Sequence, residues 1–362
     1  MLSRMVKQLV AAGLALAFMF TSALCLAAPN DKSDDTLPSV PDAESETEYA
    51  AGVGVDYYGH ADNAYFNGIG IASIRAGLKQ LGFADAEETA IGATFVKREY
   101  ERISREGVQS VVITSCCPTV NTLIEKYYPE ITECLAPVMT PMQAHCTDIK
   151  RRHSDAKTVF IGPCLSKKDE AARVGVDAAL TFEEIAAMFE KKGIVLESMR
   201  DHDEKSRARL FPTSGGVLNT MTYKNPLYDY YTIDGLDNVI PALEDIRRGG
   251  IEHCFIEMSA CAGSCVRGPI MRRKHPSSVR DYQAVSSYAG KEDFNVEQPE
   301  VSQLTNEYRP AFLHKVKPSH TELMEILRKM GKVSPADELN CGTCGYNTCR
   351  DKAEAIYQGK AE

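Results

Sequence analysis

Apolar residues recur along this chain at two spacings, and the alternation between them sets out its elements. Ile71, Ile74, Leu78 and Leu81 fall on one face of a helix that Gly82 then stops. Phe95, Val96, Tyr100 and Ile103 mark a second helix over about Ala93–Glu106. Short β-branched and aromatic runs at 110–114, 158–161 and 254–258 are bounded by turn residues and read as buried strands. Helices are expected at about Val120–Tyr128 and Asp237–Gly249. Ser/Thr-x-x-Glu capping boxes, Thr181 with Glu184 and Ser319 with Glu322, open helices running to about Lys192 and to near Gly331. The stretch "FPTSGG" at 211–216 reads as a glycine-bearing turn. Buried strands alternating with helices predict α/β layers built on parallel sheet.

The amino-terminal region departs from this pattern. Arg4 and Lys7 precede an uncharged, mostly apolar run to Ala28, so residues 1–28 read as a signal peptide or a membrane anchor. Residues 29–65 carry "PNDKSDDTLPSVPDAESETE", with little to bury, and read as a disordered linker. The globular body is expected over 66–318 and a small separate domain over 319–362. A formal net charge of −9 with no basic stripe argues against a nucleic-acid partner.

Cysteine changes the picture. The chain has 12 of them in 362 residues, a length that needs no disulfides to hold a core. The strand "VVIT" runs into Cys116-Cys117-Pro118, "TVFI" into Gly162-Pro163-Cys164, and "CFIEM" into Ser259-Ala260-Cys261, with Cys265 shortly after. Ligands of open α/β sheets bind outside the carboxyl ends of strands. Cys117, Cys164, Cys261 and Cys265 are therefore placed to converge, and four cysteines are the usual complement of a 4Fe-4S cubane. Cys134, Cys146 and Cys254 lack such a setting and read as buried packing. Cys341, Cys344 and Cys349 form a second tight group, for which an iron–sulfur cluster and a zinc ion are the alternatives.

The segments "TSCCP", "GPCLSKKDE" and "IEMSACAGSC", supported by "EKYYPE", "DAALTFEE" and "TSGGV", resemble the cluster-binding motifs of the large subunit of iron-only (FeFe) hydrogenases, over about residues 68–290. The resemblance implies a two-lobed α/β fold with parallel sheets flanked by helices, plus a small carboxyl-terminal iron–sulfur domain. It also implies a cluster in the cleft between lobes: a 4Fe-4S cubane joined through one cysteine to a two-iron unit carrying CO, cyanide and a bridging dithiolate, together the H-cluster. Carried over residue by residue, Cys117, Cys164 and Cys261 match cubane ligands, and Cys265 matches the cysteine that bridges to the two-iron unit. Cys116 matches the thiol that passes protons to the open iron site. Lys167 matches the lysine that holds a cyanide ligand, Glu170 a supporting carboxylate, and Glu99 a relay glutamate.

The sequence also departs from the family pattern. Val120 stands where the family has tryptophan, Gly162 and Ser259 where it has methionine, Ala136 in place of the relay serine, and Arg102 in place of a second relay glutamate. These changes point to the sensory, hydrogenase-like branch. The carboxyl-terminal group resembles a small 4Fe-4S domain whose usual fourth cysteine does not occur before Glu362, so it reads as cut short or as borrowing a ligand. The expectation is an iron–sulfur redox protein with one cubane or a full H-cluster and a second 4Fe-4S cluster at its carboxyl terminus, interconverting H2 with protons and electrons. The alternative is a non-enzymatic hydrogen or redox sensor or an electron-transfer module. A ferredoxin or a signalling protein is the expected redox partner. The leader points to export or anchoring, whereas the family's chemistry points to the cytoplasm.

Overall fold

The computed structural model describes residues 52–55, 65, 66, 69–201, 205–276, 278–311 and 317–361. The leader expected over 1–28 lies outside them. Among the described residues, no helix is long and apolar enough to cross a membrane. The described residues divide into two units, one within 46–313 and one within 314–362.

Among the described residues, the larger unit contains seven strands: β1 (Gly52–Val55), β2 (Asp85–Glu88), β3 (Val111–Ile113), β4 (Val159–Gly162), β5 (Ala178–Thr181), β6 (Asp229–Asp234) and β7 (Cys254–Ser259). The pairings between these strands are all parallel. β7 is central to one sheet, with Val111 of β3 and Asp229 of β6 both opposite Cys254. β1 pairs with β2 and β4 with β5, and β1 lies beside β4.

Burial on both faces explains why the β3 and β7 runs are largely apolar rather than alternating, Glu257 and the terminal Ser259 of β7 being the exceptions. Val112 and Phe255 pack against Phe95, Val96 and Tyr100 of the helix Ala90–Glu106. Ile113, Ile256 and Met258 face the other way, onto Val120 and Ile124 of the helix Pro118–Tyr127 and Val239 and Leu243 of Leu236–Arg248. Phe160 and Ile161 of β4 enter a separate core with Ile74, Leu78, Phe182 and Phe189. The helices Ala90–Glu106 and Pro141–Arg152 cross closely at Gly92, where a Cβ would lie 2.3 Å from the Pro141 carbonyl oxygen.

The three expected strands and the capped helices are present, with shifted ends. The second helix begins at Ala90 rather than Ala93, and the next begins at Pro118, whose fixed φ suits a first helical position. The linker expected over 29–65 is corrected at 52–55, where β1 pairs with β2. Strands β2, β5 and β6 were not legible. Asp85–Glu88 is wholly polar or small, and parallel pairing there needs only its backbone. Helices Pro141–Arg152, Ser166–Val174, Pro269–Lys274 and Ser278–Tyr288 are further additions.

In the smaller unit the helices His320–Lys329 and Cys349–Tyr357 pack together, burying Leu327 and Ala353. The Tyr357 hydroxyl donates to Glu322 at 3.1 Å.

Candidate functional site

The carboxyl ends of β3, β4 and β7 carry the predicted cysteines. After β3, the Thr114 N–H still bonds the Ile256 carbonyl of β7 at 2.9 Å, and the chain then reaches Cys116 and Cys117 before Pro118 starts a helix. After β4, Cys164 precedes the helix Ser166–Val174, and the Lys167 backbone N–H points at the Cys164 sulfur. After β7, Cys261 leads into a turn in which Ser264 takes φ +61°, a left-handed conformation disfavoured for a side chain with a Cβ. That turn is held at Gly263, whose carbonyl accepts from Tyr282 at 2.6 Å and whose N–H donates to Asp234 at 3.1 Å.

These strand ends meet. A Cβ placed on Gly268 would lie 3.9 Å from the Cys261 sulfur, 3.1 Å from the Cys265 carbonyl oxygen and 3.7 Å from the Pro163 carbonyl oxygen. One small patch of wall is thus shared by the β7 loop and the residue before Cys164. Charge tells the same story. Burial pushes the Cys164 thiol up to about 12, and the neighbouring Cys117 and Cys261 push in the same direction. Burial and Cys117 also raise Cys261, against the opposing pull of Arg272. Cys117 and Cys261, which follow strands of one sheet, therefore act on Cys164, which follows a strand of another.

Cys116, Cys117, Cys164, Cys261 and Cys265 are all half-buried, and none of them is in a disulfide. Among the described residues, no three His, Cys, Asp or Glu side chains are close enough to share a single metal ion. A lone tetrahedral zinc would draw its sulfurs to within about 4 Å of each other. A cubane instead spreads its thiolates over separate irons. The donor set fits such a cluster: Cys164 and Cys261, raised by burial and by neighbouring thiols, resist ionising until cations stand beside them, and coordination deprotonates a thiol outright.

Lys167 is fully buried and donates to Glu170 at 2.6 Å, and Glu170 in turn accepts from the Thr140 hydroxyl at 2.6 Å. The Lys167 charge acts on both Cys116 and Cys164, opposing the effect of burial on each. Cys116 is pushed up to about 12 by burial, so it keeps its proton at neutral pH. Glu99 is buried, but its carboxylate is engaged by Arg102 at 2.8 Å. Ala136 is completely buried and offers no hydroxyl. Cys134, Cys146 and Cys254 form no disulfide and are set in or against the apolar cores.

Sequence reasoning missed three polar neighbours of Cys116. The Tyr100 hydroxyl lies 3.2 Å from the Cys116 sulfur and 3.0 Å from Ser115 Oγ. Tyr308 donates to the Val138 carbonyl at 3.0 Å, and burial raises its phenol well above the usual range. Glu257 is buried in β7, where burial lifts its carboxyl to about 7 although it accepts backbone N–H groups, Leu218 at 3.0 Å among them. A carboxylate inside the apolar run "CFIEM" is a visible signal; nothing in the spacing marks the two tyrosines.

In the smaller unit Cys341 and Cys344 are exposed and Cys349 is half-buried at the start of its helix. The Cys349 N–H donates to Asn340 Oδ1 at 2.8 Å, and hydrogen bonds from Thr343 lower the Cys341 thiol. Two exposed donors and a half-buried third thus flank a loop that turns through Gly342 (φ +71°) and Gly345 (φ +84°).

Comparison with known proteins matches this architecture. The chain is 30% identical over 263 residues to the periplasmic [Fe] hydrogenase large subunit of Nitratidesulfovibrio vulgaris, covering 54% of this chain and 62% of that one. It is 28% identical to iron hydrogenase 1 of Clostridium pasteurianum, covering 54% of this chain and 44% of that protein. It is also 26% identical to the cytosolic Fe-S cluster assembly factor NAR1 of Encephalitozoon cuniculi, covering 51% and 59%. The chain thus spans from under half to about three-fifths of the length of these relatives. The solved [FeFe]-hydrogenase HydA1 of Chlamydomonas reinhardtii superposes with a TM-score of 0.56 at 16% identity, covering 75% of this chain and 97% of that one, which shows a shared fold. An Fe-S cluster family model matches residues 337–362. The model described as iron only hydrogenase large subunit, C-terminal domain, matches residues 69–269, more than half of the chain, and this protein belongs to that family of hydrogenase-like iron–sulfur proteins.

Proposed function

We propose that Cys117, Cys164, Cys261 and Cys265 hold a 4Fe-4S cubane and that Cys116, Lys167 and Glu170 line the adjoining place for a two-iron unit. The body over 66–318 then carries the redox centre, and Cys341, Cys344 and Cys349 of the domain over 319–362 bind a second 4Fe-4S cluster. The observation that carries this reading is the wall at Gly268, where the Cys261 sulfur, the Cys265 carbonyl and the residue before Cys164 come together, supported by the upward push of Cys117 and Cys261 on the Cys164 thiol. When bound, the cluster supplies one-electron chemistry and, with the two-iron unit, interconversion of H2 with protons and electrons. The chain contributes Lys167 as a buried cation for an anionic ligand, held in place by Glu170, and Cys116 as a protonated thiol facing the site. Electrons reach the centre from a ferredoxin or a signalling protein.

A second reading, a sensor or electron-transfer module without turnover, is favoured by Ala136 and by the Glu99–Arg102 pair, which leave the expected proton relay without two of its groups. Anaerobic reconstitution followed by iron and labile-sulfide analysis tests the shared core of both readings. Cys117→Ser and Cys164→Ser are expected to lose iron and sulfide, and Cys134→Ala to retain them. Full iron retention in both serine variants overturns the assignment. Infrared bands of CO and cyanide after maturation, with a hydrogen assay, separate enzyme from sensor.

A further inference from the structure

The contacts around Cys116 fix the direction of its hydrogen. The Ser115 hydroxyl has one hydrogen, and at 2.8 Å from the Val138 carbonyl oxygen, a group that can only accept, it donates there. In its 3.0 Å contact with Tyr100, Ser115 Oγ is therefore the acceptor, and the Tyr100 hydroxyl is the donor. With its hydrogen so committed, the phenol oxygen accepts, and it does so from the Ser115 backbone N–H at 2.9 Å. The remaining contact, 3.2 Å to the Cys116 sulfur, then has the thiol as donor. The hydrogens run one way: from Cys116 to Tyr100, from Tyr100 to Ser115, and from Ser115 to a main-chain carbonyl.

We infer that Tyr100 is a positioning residue that turns the Cys116 hydrogen inward and presents the sulfur's lone pairs to the cleft. Tyr100 is fully buried and Cys116 is half-buried, so the bond points into the protein, and the other side of the sulfur carries no hydrogen. The chain of donors ends on an amide carbonyl, which has no hydroxyl hydrogen to pass on. Toward the cleft, Cys116 is a hydrogen-bond acceptor, suited to an N–H or O–H group on whatever binds there. Delivery of its hydrogen into the cleft first requires breaking the bond to Tyr100. This inference rests on the proposed placing of Cys116 at the cluster site, but its test needs no cluster.

The test is the infrared S–H stretch of Cys116 in the metal-free, reduced full chain, isolated as the difference between wild type and Cys116→Ala. The wild-type band is expected at the lowered frequency of a hydrogen-bonded thiol. Tyr100→Phe, which keeps the ring and its packing, is expected to move it up to the free-thiol position. Ser115→Ala removes the acceptor for the phenol hydrogen, which then swings to the sulfur, so the band is expected to rise there too although the phenol remains. A merely structural role for Tyr100 predicts no shift in Ser115→Ala. A wild-type band already at the free-thiol position, or one unmoved by both substitutions, overturns the inference. Loss of the cluster assignment in the iron analysis would leave these band positions unchanged, so the two failures are distinguishable.

Discussion

Glu257 offers a measurable pH signature. Its side chain is buried in β7, and burial lifts its carboxyl from 4.5 to about 7, with Asp234 adding in the same direction. Backbone N–H groups of Leu218, Val217 and Gly215 oppose the rise, and the Cys116 thiol is its other ionisable neighbour. For an acid whose folded pKa is raised, the folded state holds the proton more tightly than the unfolded state. The stabilisation is complete below the unfolded value of 4.5 and is lost as pH climbs through the folded value near 7. A displacement of this size corresponds to roughly 3 kcal/mol, at ~1.4 kcal/mol per pKa unit. Glu257→Gln cannot titrate, and its side-chain carbonyl can still accept from Leu218. Urea unfolding of the metal-free chain at several pH values is therefore expected to show wild type losing about 3 kcal/mol relative to Glu257→Gln as pH rises across that window. Subtracting the variant cancels every other titrating group. Parallel curves, or a wild type that gains on the variant as pH rises, would refute the reasoning.

Other outcomes follow from single contacts. Arg209 and Glu88 are both buried and joined by two charge-assisted hydrogen bonds, so Arg209→Met strands a carboxylate and is expected to cost about 3–5 kcal/mol in chemical denaturation. Gly92→Ala drives a methyl to 2.3 Å from the Pro141 carbonyl oxygen, forcing two helices apart, with an expected loss of about 2–3 kcal/mol. Lys167→Met leaves Glu170 without its buried cation; the structure predicts destabilisation by a similar ~3–5 kcal/mol in the metal-free chain, partly relieved by adding Glu170→Gln.

The parts of the fold legible in the sequence are those where burial is complete. Val111–Ile113 and Cys254–Ser259 are covered on both faces and so are written in apolar residues, and the cysteines follow at a short fixed distance from each strand end. Thr181 and Ser319 announce their helices because a capping box is chemistry within four adjacent residues. Asp85–Glu88 and Gly52–Val55 pair through backbone groups that every residue owns, which leaves no compositional trace. The site divides the same way. Cys117, Cys164, Cys261 and Cys265 are legible because their positions depend on strand ends alone. Tyr100 reaches Cys116 only because the helix Ala90–Glu106 is rotated to a particular angle on β3 and β7, and that angle is set by packing with residues far off in the chain. Glu257 is visible as an oddity, but its backbone partners at Gly215, Val217 and Leu218, around the start of the helix Gly216–Thr220, are not.

The wall at Gly268 has a mechanical corollary. Cys164 follows a strand of one sheet, while Cys117, Cys261 and Cys265 follow strands of another. Whatever occupies the space between those sulfurs rivets the two sheets together. Filling the site should therefore slow amide exchange in Val159–Gly162 and Cys254–Ser259 together, making inorganic occupancy audible in the backbone at a distance from any sulfur.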